Sequence, residues 1–307
     1  MTPSRRKQRK INKDIQGIAG IAVMISLLFT GGYYFYNLDS LDQNFCSVNN
    51  GPKALTAIIF DKSAQYNQDE VVDIKTSLNS WLQGEKLATK DRRIDKIFFS
   101  EGVLIQLYEI DSKSLSQFSE LQIQAELCVP KDFSKLSLSN QLIVNQGFLE
   151  QRMEKFINTY KEAINNLLNK REGNSPIMES LVRISNSQSF QQYPDIQHNI
   201  FLVSDMLQNS DNYSHYQGCK KSGNCGDALG LDWSEFKIKM QDTIFYKPGL
   251  NDVNWTIFLK AAEDEDRQGL SLQSINTTDG KNMHKLFWEK YFNNAGAKKV
   301  RFINIDG

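Results

Sequence analysis

Residues 54–65 read ALTAIIFDKSAQ, an apolar run that stops abruptly at Asp61. A continuous run of this kind is typical of a strand that is buried on both faces, as in a sheet covered by helices on either side. In open α/β sheets, ligands bind beyond the carboxyl ends of the strands. The stretch therefore predicts a central strand and, in the DKSAQ segment that ends it, a candidate site.

The rest of the chain alternates between strand-like and helix-like segments. Further strands are predicted at VLIQLYEI (103–110), 121–129, IFLV (200–203), WTIFL (255–259) and VRFINI (300–305). Helices are predicted over 71–82, 149–168, 233–240 and 286–292, and Pro176 is suited to the first turn of a short one. This alternation predicts an α/β fold with a doubly wound, mostly parallel sheet.

One pair of strands departs from the parallel pattern. Only ten residues separate 103–110 from 121–129, which is too few for a crossover connection. The second strand alternates apolar and polar residues, as an edge strand with one face in water does. The two strands are therefore predicted to form an antiparallel hairpin at one edge of the sheet.

The start of the chain has the pattern of a membrane anchor. Residues 1–14 contain six basic residues and one acid, a net charge of +5, and the 24 residues between Asp14 and Asp39 carry no charge. About 20 apolar residues span a bilayer as a helix, and a basic flank favours the cytoplasmic side. A cleaved signal peptide is the alternative, but no small-residue cleavage site follows the apolar run.

This pattern predicts four segments in a single-pass protein of a bacterial inner membrane. They are a basic cytoplasmic tail (1–14), a transmembrane helix (15–37), a linker (38–52) and one periplasmic domain (53–307).

All four cysteines, Cys46, Cys128, Cys219 and Cys225, follow the predicted span. An even number of cysteines on the exported side predicts disulfide bonds. Cys219 and Cys225 flank a short polar loop that a disulfide would close, which leaves Cys46 to pair with Cys128. The alternative is zinc, because His215, Cys219 and Cys225 form H-x3-C-x5-C, which supplies three ligands without an obvious fourth.

Composition and charge exclude two classes of protein. Apolar residues make up 40% of the chain and aromatic residues 11%, which is enough to fill a core and excludes disorder for most of the chain. Lys plus Arg equals Asp plus Glu at 36 each, which argues against nucleic acid as the main partner.

Oxygen-bearing side chains also lie near the ends of other predicted elements. Asp205 follows the IFLV strand, and Ser175 precedes the helix predicted at Pro176. Carboxylate and hydroxyl oxygens at one rim are hard ligands, a set that Mg²⁺ favours. Each residue alone has an ordinary explanation as a helix cap or a turn residue.

This arrangement resembles the von Willebrand factor A-like domains. Their metal-ion-dependent adhesion site has D-x-S-x-S after the first strand, a Thr in a later loop and an Asp after the fourth strand. Order, spacing and strand context match over about residues 54–305. The resemblance implies a metal site that holds Mg²⁺, with Mn²⁺ or Ca²⁺ as alternatives, on Asp61, Ser63, Ser175 and Asp205. It also implies binding of a protein partner, through an acidic residue that completes the site, rather than catalysis.

Three residues differ from the family pattern. Gln65 stands where the second Ser is expected, Ser175 replaces Thr, and Met206 follows Asp205 where Gly is more usual. The amide of Gln65 is longer than a serine hydroxyl, so we expect it near the ion as a further oxygen donor or as a group that displaces metal or water.

Other candidate groups carry less weight. The acidic run 263–266 follows the WTIFL strand and is expected to be a solvated loop at the same rim. His198, His215 and His284 are scattered and form no catalytic motif. No phosphate-binding glycine loop is present, and a phosphatase would require a second acid at position 63, where Ser63 stands.

The sequence therefore predicts a membrane-anchored, non-enzymatic module that binds another protein. The first alternative is a structural subunit of a membrane complex in which the metal site is vestigial. The third hypothesis is a metal-dependent hydrolase.

Overall fold

The computed structural model describes residues 24–26, 41–63, 66–82, 99–110, 121–132, 134, 136, 145–168, 174–218, 230–260 and 278–305. The chain divides into two units, Met1–Asp42 with Ser47–Asn50 and Gln43–Cys46 with Gly51–Gly307. In the first unit, residues 24–26 are helical and Leu41 forms an isolated antiparallel bridge with Ser47. The second unit contains the sheet.

The predicted transmembrane helix, 15–37, lies outside the described residues except for 24–26. Within the described part of the chain, no helix is both long and apolar enough to cross a membrane. The basic tail, 1–14, also lies outside the described part, so the anchor and its orientation remain predictions.

The second unit alternates strands and helices, as the sequence predicts. In chain order its described elements are β1 (Ala54–Asp61), α1 (Gln68–Leu82), β2 (Val103–Ile110), β3 (Ile123–Cys128), α2 (Gln146–Leu168), α3 (Ile177–Ser185), α4 (Gln188–Gln192), β4 (Gln197–Ser204), a 3₁₀ turn (His215–Gly218), α5 (Trp233–Met240), β5 (Asn254–Leu259), α6 (Thr278–Asn294) and β6 (Lys299–Asn304).

The six strands form one sheet in the order β3-β2-β1-β4-β5-β6. All neighbours are parallel except β2 and β3, which pair antiparallel. The doubly wound, mostly parallel sheet with an antiparallel edge hairpin is therefore confirmed. Parallel strands place their carboxyl ends at the same rim, so the ends of β1, β4 and β5 are neighbours there.

The core has two layers because helices cover both faces of the sheet. Alternate residues of β1 contribute to opposite layers: Leu55, Ala57 and Ile59 pack on one side, and Ala54, Ile58 and Phe60 on the other. The first layer holds α3, α5 and α6, and the second holds α1 and α2. This double burial explains why the 54–60 run is apolar throughout rather than alternating.

The predicted disulfide between Cys46 and Cys128 is present, with an S–S distance of 2.03 Å. Next to it, the Cys128 amide donates to the Asn44 carbonyl at 2.7 Å. The Asn44 side chain also donates to Glu126 at 2.8 Å. Residues 43–46 therefore cover part of the outer edge of β3, which would otherwise offer unpaired backbone groups. Cys219 and Cys225 lie outside the described residues.

Candidate functional site

Asp61 is the last residue of β1 and its side chain is 0% exposed. Its Oδ1 accepts hydrogen bonds from the Ser63 amide at 2.9 Å and the Ser63 hydroxyl at 2.7 Å. Its Oδ2 accepts from the Ser175 hydroxyl at 2.6 Å and the Ser204 hydroxyl at 2.7 Å. A carboxylate has about four acceptor positions, so all of them are used.

The three hydroxyls come from different parts of the sequence. Ser63 follows β1, Ser175 precedes α3, and Ser204 ends β4. The structure therefore brings together three of the predicted residues, Asp61, Ser63 and Ser175. Ser204 was not predicted as a site residue, because in the sequence it resembles the last residue of a buried strand. The feature that could have identified it is a hydroxyl directly before Asp205.

A second Asp-x-Ser turn in the chain shows which part of this geometry is ordinary. Asp132 Oδ1 accepts from the Ser134 amide at 2.9 Å and the Ser134 hydroxyl at 2.7 Å, the same distances as in the Asp61 turn. The Asp132 turn is exposed. The local turn is therefore a common motif, and the distinctive feature of Asp61 is the convergence of Ser175 and Ser204 on its second oxygen.

Asp205 has a different environment from Asp61. It is half-buried, and its Oδ1 accepts from the Leu207 amide at 2.9 Å. It nevertheless acts electrostatically on Tyr66, as Asp61 does. Gln65 and the acidic run 263–266 lie outside the described residues.

Met206 connects this site to α6. It has a left-handed backbone, with φ of 60°, which is rare for a side chain of this size and is where a glycine would be relaxed. Its amide donates to the Ser204 hydroxyl at 2.7 Å. Its carbonyl lies 3.0 Å from His284 Nε2 and accepts from Trp288 Nε1 at 2.8 Å. A carbonyl only accepts, so His284 carries its proton on Nε2. These bonds hold the residue that follows Asp205 in its strained conformation.

A buried polar network holds the Ser175 loop against the loop after β4. Ser175 and Asn209 exchange backbone hydrogen bonds of 3.2 and 2.8 Å. The Gln208 side chain accepts from the Met178 amide, in the first turn of α3, at 2.9 Å and donates to Glu179 at 2.9 Å. The loop after β4 therefore holds both the Ser175 backbone, through Asn209, and the first turn of α3, through Gln208.

Two buried lysines lie at the same rim. Lys62 is paired with Glu109 at the end of β2, with Nζ 2.5 Å from Oε2. Lys260 follows β5, and its Nζ lies 3.9 Å from Glu70 Oε2. Glu70 in turn caps α1, because it accepts from the Asn67 amide at 2.8 Å.

Tyr66 lies at the same rim, with its ring centre 5.8 Å from Lys260 Nζ. Its hydroxyl is 3.0 Å from the Asp61 carbonyl and 3.2 Å from the Val203 carbonyl, so it links the ends of β1 and β4. Burial, together with the negative charges of Asp61, Asp205 and Glu70, raises the pKa of Tyr66 well above its ordinary value. The phenol therefore stays protonated, and three carboxylates act on this one side chain.

The residues present at Asp61 fit a divalent cation. A hydroxyl that donates its only hydrogen keeps two lone pairs, so the hydroxyls of Ser63 and Ser175 remain able to act as ligands. Ser204 uses one lone pair to accept from Met206. The described residues contain no cluster of three or more His, Cys, Asp or Glu side chains that could hold a metal ion. A cation here would thus depend on hydroxyl oxygens.

The contacts of the other two histidines, His198 and His215, are those of structural residues. His198 Nε2 is 2.9 Å from the Tyr193 carbonyl. His215 is fully buried among aromatic rings, and within the described part of the chain neither of its ring nitrogens has a hydrogen-bond partner. Its ring centroid is 6.0 Å from that of His284. The predicted alternative of a zinc site on His215, Cys219 and Cys225 involves two residues outside the described part.

Comparison with known proteins yields matches only among solved structures. No family model matches the chain, and no curated protein matches it. The VWA domain of SpRpn10 is 9% identical, with a TM-score of 0.38, over 82% of this chain and 89% of that one.

Two further structures cover the chain to a similar extent. The human COPII-coat protein Sec24c is 13% identical, with a TM-score of 0.35, over 84% of this chain and 30% of that one. The pilus adhesin SpaC from Lactobacillus rhamnosus GG, in its open conformation, is 12% identical, with a TM-score of 0.34, over 80% of this chain and 30% of that one. The match thus spans less than a third of either protein. The observed strand order and strand directions agree with the von Willebrand A-like fold that the sequence predicts.

Proposed function

We propose that the chain is a membrane-anchored module that binds another protein through the carboxyl rim of its sheet and catalyses no reaction. The observation that supports this most is the convergence of Ser63, Ser175 and Ser204 on the buried Asp61 carboxylate. Burying a charge is costly unless it is well hydrogen-bonded, and three separate segments are positioned to supply those bonds. This convergence distinguishes the site from the local Asp-x-Ser turn at Asp132.

The same residues are those that would hold a divalent cation, Mg²⁺ before Mn²⁺ or Ca²⁺. Ser63 and Ser175 would offer hydroxyl oxygens, and Asp61 and Asp205 negative charge, with Gln65 as a further oxygen donor nearby. A bound cation would supply a positive charge to which an acidic residue of the partner can bind. The residues of the chain itself orient the hydroxyls and keep the Asp61 carboxylate away from water.

Site-specific cross-linking tests whether the rim is the binding surface. A photo-reactive amino acid is placed at Gln68, the exposed first residue of α1 next to the rim, or at Gln146, the exposed first residue of α2, as a control. We expect a partner adduct from position 68 that is lost in Asp61→Asn, because the substitution removes the charge while keeping the side-chain shape.

The matched control is Asp132→Asn, which alters an Asp-x-Ser turn with the same distances away from the convergence of hydroxyls. This variant should leave the adduct unchanged. An adduct that survives Asp61→Asn would contradict rim binding. Repeating the reaction in Mg²⁺ and in EDTA shows whether a divalent cation is needed.

A structural subunit with a vestigial site is the second candidate. The four hydrogen bonds to Asp61 favour it, because they already stabilise the carboxylate without a cation. In this case adducts would form from Gln146 or other surfaces, and neither Asp61→Asn nor EDTA would change them.

The proposed location is a bacterial inner membrane, with residues 1–14 in the cytoplasm and the sheet unit in the periplasm. An alkaline phosphatase fused after Gly307 should be active, since that enzyme requires export, and the fusion should remain membrane-bound. Replacing the six basic residues of the tail by serine should reduce the activity severalfold, because those charges set the orientation. Activity confined to a cytoplasmic reporter would contradict the topology.

A further inference from the structure

We propose that an aromatic and basic cluster at the amino end of the sheet docks on anionic lipid headgroups of the membrane that holds the predicted anchor. The cluster consists of Phe45, Phe148, Arg152 and Lys155. The inference rests on the proposed function only for the anchor. It assigns a membrane contact to the end of the sheet opposite to the rim.

The cluster places two cations over two aromatic rings. The Cζ atom of Arg152 lies 3.9 Å from the centre of the Phe148 ring and 5.7 Å from that of Phe45. The Nζ atom of Lys155 lies 5.2 Å from the centre of the Phe45 ring. The three residues on α2 are spaced at i, i+4 and i+7, so they share one face of the helix. Phe148 is 49% exposed. The surface therefore combines exposed apolar area with positive charge, as segments that bind in a headgroup layer do.

Neither cation is neutralised within the described part of the chain. No described carboxylate forms an ion pair with Arg152 or Lys155. Both oxygens of Glu126 accept from side-chain amides instead, from Asn44 at 2.8 Å and from Gln106 at 2.6 Å. An anionic headgroup would thus meet two available positive charges, each of which strengthens binding to an anionic surface by about fivefold.

Phe45 has a backbone conformation that is rare for a bulky residue. Its φ of 65° lies in the left-handed region. On one side, Cys46 is bonded to Cys128, and on the other, the Asn44 carbonyl accepts from the Cys128 amide at 2.7 Å. Bonds on both sides therefore hold Phe45 in place next to the two cations. Strain that is held by its surroundings in this way is common where a protein binds a ligand.

The position of the cluster fits a surface that faces the membrane. Cys128 pairs with the start of β2, so the cluster lies at the amino end of the parallel strands. The eight residues of β1 separate this end from the rim by about 25 Å. The predicted span ends at residue 37, and the chain from there to Phe45 reaches at most about 28 Å. Docking at the amino end would leave the rim accessible to a protein partner.

The test is fluorescence quenching of the full chain reconstituted in phosphatidylcholine vesicles with or without phosphatidylglycerol. A fluorescent amino acid is placed at Gln151, which is exposed beside the cluster, or at Gln68, which is exposed next to the rim. The quencher is a nitroxide on the lipid headgroup. With phosphatidylglycerol present, we expect severalfold stronger quenching at position 151 than at position 68, and a loss of this difference without it.

Variants identify the groups responsible. The double variant Arg152→Gln/Lys155→Gln should lower quenching at position 151 severalfold in the anionic vesicles, and Phe148→Ser should also lower it. The matched control is Lys285→Gln, because Lys285 likewise lies over an aromatic ring, that of Phe302 at 5.5 Å, but is paired with Glu289 at 3.8 Å. This control should change nothing. Thermal melts establish that each variant is folded, and Lys155→Gln alone replaces the double variant if the latter is not.

Three results would overturn the inference. They are equal quenching at positions 151 and 68, quenching at 151 that survives the double variant, and an equal loss in Lys285→Gln. The first is also the result expected if the cluster serves an acidic protein instead of lipid. A chain that floats with neither kind of vesicle would contradict the anchor and the docking surface together. A chain that floats but shows equal quenching contradicts the docking surface alone, and binding at the rim is measured separately by cross-linking.

Discussion

Loss of the Cys46–Cys128 disulfide is expected to lower the free energy of unfolding by about 4 kcal/mol. The bond closes a loop with a sequence separation of 82, and removing it frees that loop in the unfolded chain. The measurement is urea unfolding of a Cys46→Ala/Cys128→Ala double variant. Tryptophan fluorescence reports on the sheet unit, because Trp255 and Trp288 are fully buried in it.

The parent protein, reduced under denaturing conditions and refolded with reductant, is the control. It should lose at least as much, since reduction opens this loop and also the predicted Cys219–Cys225 bond. A loss below about 1 kcal/mol in both would contradict the loop-closure account. It would show that the hydrogen bonds of Asn44 to Cys128 and Glu126 restrain the segment without the covalent bond.

Acidification from pH 7.5 to pH 5 is expected to cost about 4 kcal/mol of stability through two buried histidines. Burial lowers the pKa of His284 to about 4, and burial with the neighbouring His284 lowers the pKa of His215 well below its ordinary value. The unfolded chain therefore binds more protons than the folded chain below about pH 6.5. The stability is fully present above that pH and falls as pH decreases toward the folded-state values.

Measuring the free energy of unfolding across this pH range tests the predicted dependence of stability on pH. His215→Phe preserves an aromatic side chain in the ring cluster, and His284→Gln retains a donor for the Met206 carbonyl, while neither replacement titrates. Each should remove about half of the acid loss. His198, whose pKa burial also lowers, stays in place in both variants. An unchanged slope in the double variant would refute the assignment to these two residues.

The fold was predictable because its signals are local. The apolar run of β1 and the helical spacing of α2 are visible in the sequence, and the short β2–β3 connection dictates an antiparallel pair. Helix α4 was missed, since five residues are too few to show a helical period.

The site was only partly predictable. Asp61, Ser63 and Ser175 come together because parallel strands end at one rim, which is a property of the fold class. The positions of Tyr66, Glu70 and Lys260 depend on how the β1 and β5 loops pack against one another, and no periodicity encodes that. A buried lysine also looks the same in a sequence as a solvated one.

The disulfide at β3 also determines how the sheet unit would carry a mechanical load. Tension entering through Gln43 passes from Cys46 directly to Cys128, so the chain between them is not stretched. That bypassed segment contains β1, α1 and β2, and its contour is about 280 Å when extended. When tension is applied along the chain between Gln43 and a point beyond Cys128, the strand that ends in Asp61 therefore stays outside the covalent line of force.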